Sequence, residues 1–280
     1  AWWRAGEAGF ALDDCAPRLA IIDGERWAAW GDELTARRIA AVVVRAPAVG
    51  PAHAWTAEMA AAPDAPRPVT VGHDDDATIL YTSGSTGHPK GAYSDHRGVV
   101  SGTMNYVCQT AMMLQLLTER GDAPTVQPSA LVAVPLFHVT GEVPLFLQSF
   151  AMGRKLVLMP KWDATNALEL LEKEQITYFV GVPLMSYEIA VHPEREKYDL
   201  SQCKTFAGGG AARPIEHVKK IKDAFKDGFP ALGYGLTETN GVGAGNLNEN
   251  YLAKPNSTGM PSLPLVDMAI LDDDGEPLPQ

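Results

Sequence analysis

An α/β fold is what this sequence predicts, with β-sheets packed between layers of helices. Two patterns predict it. Short β-branched or apolar runs recur along the chain, and between them lie amphipathic stretches with helix-boundary residues. In order, the runs are Leu19 to Ile22, Val42 to Val44, Thr78 to Tyr81, Leu131 to Val134, Lys155 to Leu158, Tyr178 to Val180, Lys204 to Ala207 and Met268 to Leu271. Their apolar continuity reads as buried strands, covered on both faces.

Two helices are marked by their boundaries. Asp163 can cap a helix whose Leu168 and Leu171 share one face. Pro214 can open another, running through Ile215, Val218, Ile221 and Phe225 to Gly228. One compositional break, Pro47 to Pro68, is rich in Pro and Ala and reads as a surface connection. It divides an opening strand-and-helix segment, residues 1–68 with this connection, from a main body, residues 69–280.

Composition excludes several classes. The 280 residues carry 23 basic and 34 acidic side chains, a formal charge of 23 − 34 = −11, and 46% are hydrophobic, enough to bury a large core. An acidic chain without a Lys/Arg run repels phosphate backbones and anionic lipid, so nucleic acid is not an expected partner. No apolar run approaches the roughly 20 residues of a membrane-crossing helix, which predicts a soluble chain without a transmembrane segment. Three scattered cysteines, Cys15, Cys108 and Cys203, make neither a disulfide framework nor paired metal ligands. They read as buried small hydrophobes in a cytoplasmic protein, and Trp2 and Trp3 as packed side chains. The chain starts without Met and stops at Gln280, and reads as a possible fragment. The acidic runs Asp74 to Asp76 and Asp272 to Gly275 lack the ligand spacing of a calcium loop; they read as solvated, the second as a hairpin turn.

The strongest chemical signal follows a strand directly: Tyr81-Thr82-Ser83-Gly84-Ser85-Thr86-Gly87-His88-Pro89-Lys90-Gly91. Gly84 and Gly87 let backbone N–H groups turn toward an anion. Ser83, Ser85 and Thr86 add hydroxyl donors, and Lys90 adds a full positive charge. A Ser/Gly linker is the plain alternative. This is not the common P-loop, because Gly91 follows Lys90 where that motif needs Ser or Thr for magnesium. Gly233-Tyr234-Gly235-Leu236-Thr237-Glu238 can supply that ligand: the Tyr ring can stack on a purine, the Thr hydroxyl can reach a phosphate and the Glu carboxylate suits Mg2+. Taken alone, it could equally be a tight turn with a packed Tyr.

Together these two segments resemble the phosphate-loop and Tyr-Gly-x-Thr-Glu motifs of the adenylate-forming (AMP-binding) enzymes, the superfamily of acyl-CoA synthetases, peptide-synthetase adenylation domains and luciferases. Counterparts of further family landmarks occur in order: Pro135-Leu136-Phe137-His138-Val139-Thr140-Gly141, Gly181-Val182-Pro183, Gly208-Gly209-Gly210-Ala211 and Ser257-Thr258-Gly259-Met260-Pro261. The resemblance implies part of the family's large N-terminal domain. It also implies a two-step reaction in which a carboxylate attacks the α-phosphate of ATP, releasing pyrophosphate, and the thiol of coenzyme A then displaces AMP. Thr82, Ser83, Gly84, Ser85, Thr86, Gly87 and Lys90 would surround the β- and γ-phosphates. Tyr234 and Gly235 would lie at adenine, Thr237 at the α-phosphate and Glu238 at Mg2+, with Gly208, Gly209, Gly210 and Ala211 as a backbone wall beside adenine and the carboxylate.

His138 stands where amino-acid-activating relatives carry an Asp for the substrate ammonium. A buried ammonium without a carboxylate is heavily penalised, so His138 points to a plain organic acid, with a fatty acid as the first expectation; the resemblance implies that His138 borders the acyl and thiol channel. Gly241, Gly243 and Gly245 suit an aliphatic tail, or a flexible surface loop. Leu232 replaces the polar reader of adenine found in many relatives. The family's ribose-binding Asp, its Arg and the small lid domain with the adenylation Lys would fall beyond Gln280, so the expectation is that this chain alone does not turn over. The reading is thus an acid–CoA ligase, with two alternatives: an adenylation domain for an amino or aryl acid, or a non-catalytic nucleotide-binding remnant. Oligomeric state is not legible.

Overall fold

The computed structural model describes residues 3, 5–47, 50–62, 68–83 and 89–279. The chain forms two compact units, Ala1–Asp75 with Tyr81–Ala92, and Asp76–Leu80 with Tyr93–Gln280.

The first unit begins with α1 (Ala5–Cys15), β1 (Leu19–Asp23), α2 (Gly24–Ala36), β2 (Ala40–Val44), β3 (His53–Ala54) and α3 (Trp55–Ala61). β1, β2 and β3 pair in parallel. Ile22, Leu34, Ala41 and Val43 form its small core. Asp23 caps α2 by accepting from the Arg26 N–H at 2.9 Å. The Pro47–Pro68 stretch is more than a connection, since residues 53–61 form β3 and α3. Alanine's high helix propensity accounts for α3, which buries none of its residues. Of the opening tryptophans, Trp3 packs edge-on against Tyr81, ring centroids 5.3 Å apart, and Trp2 lies outside the described residues.

β4 (Asp76–Thr82) and β5 (Lys90–Asp95) pair as a two-stranded sheet whose residues are divided between the units. The second unit continues with α4 (His96–Glu119), β6 (Ser129–Val132), α5 (Val139–Gly141), a π-helical turn Glu142–Leu147 and α6 (Gln148–Met152). Then come β7 (Lys155–Leu158), α7 (Ala164–Lys173), β8 (Tyr178–Gly181), α8 (Pro183–Val191), β9 (Thr205–Gly208) and α9 (Ile215–Ala224). β10 (Phe229–Gly235), β11 (Gly243–Leu247), α10 (Asn248–Ala253) and β12 (Met260–Pro261) complete it.

Its seven-stranded sheet has the order β12-β11-β10-β9-β8-β6-β7. From β10 to β7 all neighbours are parallel; β11 and β12 add an antiparallel edge. Strand alternation divides the core. Leu131, Phe179 and Phe206 meet Leu168 and Leu171 of α7, Ile189 of α8 and Ile221 of α9 on one face. On the other, Ala130, Val132, Val180, Ala207 and Ala231 pack with Leu145 of the π-helical turn. As the sequence predicts, Asp163 caps α7, accepting from the Asn166 N–H at 2.9 Å.

Three further expectations differ. Met268–Leu271 forms no strand and makes one isolated bridge, Leu271 to Pro277, closed by the predicted turn in which the Asp272 carboxylate accepts from Asp274 and Glu276 N–H. Cys108 is exposed and Cys15 half-buried, whereas Cys203 is buried, which pushes its thiol up to about 12. Gly243 and Gly245 belong to β11 and not to a loop. Among the described residues no helix is long and apolar enough to cross a membrane.

Candidate functional site

In a parallel sheet the carboxyl ends of neighbouring strands gather whatever loops follow them, at one edge. Here β6 leads into Pro135–Gly141, β8 ends in Gly181-Val182-Pro183, β9 ends at Gly208 of the Gly208–Ala211 turn, and β10 ends at Gly235 before Thr237 and Glu238. Since β6, β8, β9 and β10 are successive neighbours, four segments dispersed over about a hundred residues of sequence stand side by side.

Their contacts are close. Gly181 pairs with Gly208, and the Gly209 N–H donates to Gly181 O at 3.1 Å. A methyl group at Gly209 would lie 3.4 Å from Gly233 O, and one at Gly210 would lie 3.9 Å from His138 Cε1. Gly210 takes φ +74°, the left-handed region that favours glycine. The wall segment therefore fits between His138 and the start of the Tyr234 turn.

His138 is surface-accessible. Its Nδ1 accepts from the Thr140 N–H at 3.1 Å, which leaves Nε2 as the protonated nitrogen of the neutral ring. Partial burial holds the imidazole below its ordinary value. Four residues on, the half-buried Glu142 carboxyl is raised by the same desolvation.

Tyr234 is 45% exposed, and an exposed aromatic side chain can offer a ring face for stacking. Thr237 and Glu238 lie on a 3-10 turn, Thr237–Thr239, where Glu238 is exposed and Thr237 half-buried. The turn is held by Asn240, buried in the left-handed region at φ +53°, whose Oδ1 accepts from Ser94 Oγ at 3.3 Å. Tyr106 Oη donates to Gly241 O at 2.6 Å. Gly233 pairs with Gly245 and has open space over it. Leu232 packs with Val218 and Tyr251, so it is a core residue.

Of the phosphate-loop residues, Gly84, Ser85, Thr86 and Gly87 lie outside the described residues, as does His88. The strands on either side hold their ends. Tyr81 Oη donates to the Asp14 carboxylate at 2.6 Å, Thr82 Oγ1 donates to Lys90 O at 3.4 Å, and Ser83 and Lys90 are exposed. Among the described residues no group of three or more His, Cys, Asp or Glu could hold a resident metal. One exposed carboxylate instead suits a magnesium ion that arrives with nucleotide phosphates and keeps its waters.

The whole chain, residues 1–280, matches the family described as AMP-binding enzyme. The chain belongs to that family. Its relatives include a feruloyl-CoA synthase of Amycolatopsis sp., 34% identical over 226 residues, covering 79% of this chain and 42% of the relative. A long-chain-fatty-acid–CoA ligase of Bacillus subtilis (strain 168) is 33% identical, covering 71% of this chain and 33% of the relative. Among solved structures, the inhibitor-bound N-terminal domain of FACL13 from Mycobacterium tuberculosis superposes with a TM-score of 0.80 at 27% identity, covering 99% of this chain and 65% of that one. The chain thus has the α/β fold of adenylate-forming enzymes, with acid–CoA ligases among its homologues, and spans at most about four tenths of the length of these curated relatives.

One residue escapes the sequence reading. Arg213, two positions past the wall, is almost wholly buried beneath Gly208. Nothing in its sequence neighbourhood marks it, because Ala212 and Pro214 read as an ordinary turn into α9.

Proposed function

We infer that this AMP-binding chain forms the nucleotide- and acid-binding part of an ATP-dependent acid–CoA ligase acting on a fatty acid. The observation that carries the reading is the gathering of the His138, Gly181, Gly208 and Tyr234 segments on the carboxyl edge of neighbouring strands, in a chain of this family.

Attack of a carboxylate on the α-phosphate brings an anion to a polyanion, so charge must be offset and the reactants held in line. Thr82, Ser83, Gly84, Ser85, Thr86, Gly87 and Lys90 take the β- and γ-phosphates, with Lys90 as the positive charge. Tyr234 and Gly235 hold adenine, and Gly208 to Ala211 line it and the carboxylate. Thr237 donates to the α-phosphate. Glu238 would hold Mg2+, which would supply charge neutralisation when bound. Neutral His138 borders the acid and the entering coenzyme A thiol without burying a second anion beside the carboxylate. Gly233, with nothing within 4 Å of where its Cβ would lie, and Gly245, its partner in the β10–β11 ladder, leave the strand surface clear of side chains for an apolar tail.

A second reading, an aryl acid, is favoured by the feruloyl-CoA synthase among the relatives. A hydroxamate assay across aliphatic and aryl acids, on the protein carrying this chain, separates the two: greater turnover with medium- or long-chain acids supports the fatty acid, and greater turnover with cinnamic-type acids supports the second. Lys90→Ala is expected to slow the adenylation half-reaction by about 10²- to 10³-fold, the size of effect of losing one charge-stabilising donor. Glu238→Ala is expected to raise the magnesium requirement; full adenylate formation at ordinary magnesium rejects that assignment.

A further inference from the structure

A buried guanidinium is costly unless its donors are satisfied and its charge is paired. Arg213 is 6% exposed, and among the described residues its Nε and Nη1 meet no hydrogen-bond acceptor. No carboxylate is among the groups that act on its charge; the phenol of Tyr251 does so through charge and as a hydrogen-bonding neighbour, and the Arg213 Cζ lies over that ring, 5.8 Å from its centroid. One donor is used: Nη2 donates to Ser186 Oγ at 3.0 Å, and Ser186 Oγ donates to Pro183 O at 3.1 Å. An apolar side chain of similar length would fill this space with less desolvation cost, so the placement calls for a reason beyond stability.

The reason lies directly above it. Gly208 has no room for a Cβ because Arg213 Nη2 and Pro183 Cα occupy that space. The chain turns through Gly209 and Gly210 and folds Arg213 back beneath its own start. The guanidinium thereby joins the end of β9 to the first turn of α8, which carries Ser186, and through Pro183 to the Gly181-Val182-Pro183 segment. Gly209 is bonded to that same segment by its N–H to Gly181 O.

We propose that Arg213 is a positioning residue for nucleotide binding: through Ser186 it fixes the height and tilt of the Gly208–Ala211 wall relative to the Gly181-Val182-Pro183 segment. The proposal rests on the reading of that wall as the side of a nucleotide site. Loosening the wall misplaces a surface that touches the nucleotide, so the loss falls on ATP binding more than on the chemical step.

The test is acid-dependent ATP–pyrophosphate exchange, together with thermal unfolding, on the protein carrying this chain and its Arg213→Met, Arg213→Lys and Ser186→Ala variants. Arg213→Met is expected to raise KM for ATP about tenfold with kcat within about threefold and Tm unchanged or higher. Arg213→Lys, which keeps one donor to Ser186, is expected to recover part of the loss, and Ser186→Ala to shift KM in the same direction by a smaller factor. A lower Tm with wild-type KM in Arg213→Met, or wild-type KM in Ser186→Ala should Arg213→Met not fold, would overturn the proposal and leave the nucleotide reading intact. Absence of exchange in the unsubstituted protein under all acids overturns the reading, and the proposal with it.

Discussion

At the scale of residues, the candidate site is built by close approach. Gly235 has Gly241 O where its Cβ would be, because β10 and β11 converge at that point. Gly235→Ala is therefore expected to destabilise the fold by about 1–3 kcal/mol, the usual cost of overpacking, measured by denaturant unfolding. Glu142 gives a pH-dependent counterpart. Its carboxyl is raised by burial, so the folded state favours the protonated form, and its contribution to stability is present at low pH and lost as pH rises through the folded value. Glu142→Gln is expected to unfold at a higher temperature than the unsubstituted chain at pH 7–8, with the advantage gone below about pH 4, where a free Glu is itself protonated. An equal difference at both pH values would contradict the burial argument. At this scale the sequence offers residue types and their order: hydroxyls, glycines and a lysine between Thr82 and Lys90 are what the proposed phosphate contacts rest on. Arg213 was not legible, because only the folded chain shows that its guanidinium lies under Gly208.

At the scale of elements, legibility follows how far a segment's pattern reflects its own burial. α7 is readable because Asp163 caps it and Leu168 and Leu171 fall on the buried face. Leu168→Ala should cost about 2–5 kcal/mol by denaturant unfolding, since the site is fully buried among Leu131, Phe179 and Ile176. α4 escapes the same reading although it is the longest helix among the described residues. Its buried positions include Gly102, Thr103 and Asn105, while Val100, Met104 and Met112 are exposed, so its apolar stripe points the wrong way for a sequence argument. The signal that could have found it is Asp95, whose carboxylate accepts from the Gly98 N–H at 2.7 Å. Asp95→Ala is expected to cost about 1 kcal/mol by the same measurement. β11 was hidden for another reason: Gly243 and Gly245 suggest a loop, yet pairing with β10 supplies the hydrogen bonds that define the strand. The Met268–Leu271 run failed oppositely, its apolar residues lying exposed with one bridge for partner.

At the scale of the whole molecule, alternating strands and helices gave the α/β class, but the order of strands could not be read from them. It is that order, with β6, β8, β9 and β10 as successive neighbours, that brings His138, Gly181, Gly208 and Tyr234 to one edge. The segment proposed to take the phosphates belongs to the other unit, and its assignment to the same chemistry is a proposal that rests on membership of the AMP-binding family and on the charge of Lys90. The most direct measurement is acid-dependent ATP–pyrophosphate exchange by the protein carrying this chain, compared with its Lys90→Ala and Glu238→Ala variants. Exchange is expected only when a carboxylic acid is supplied, reduced at least about a hundredfold by Lys90→Ala and restored toward normal in Glu238→Ala by excess magnesium. Exchange that needs no acid, or that proceeds at the unsubstituted rate in both variants, would contradict the proposed function.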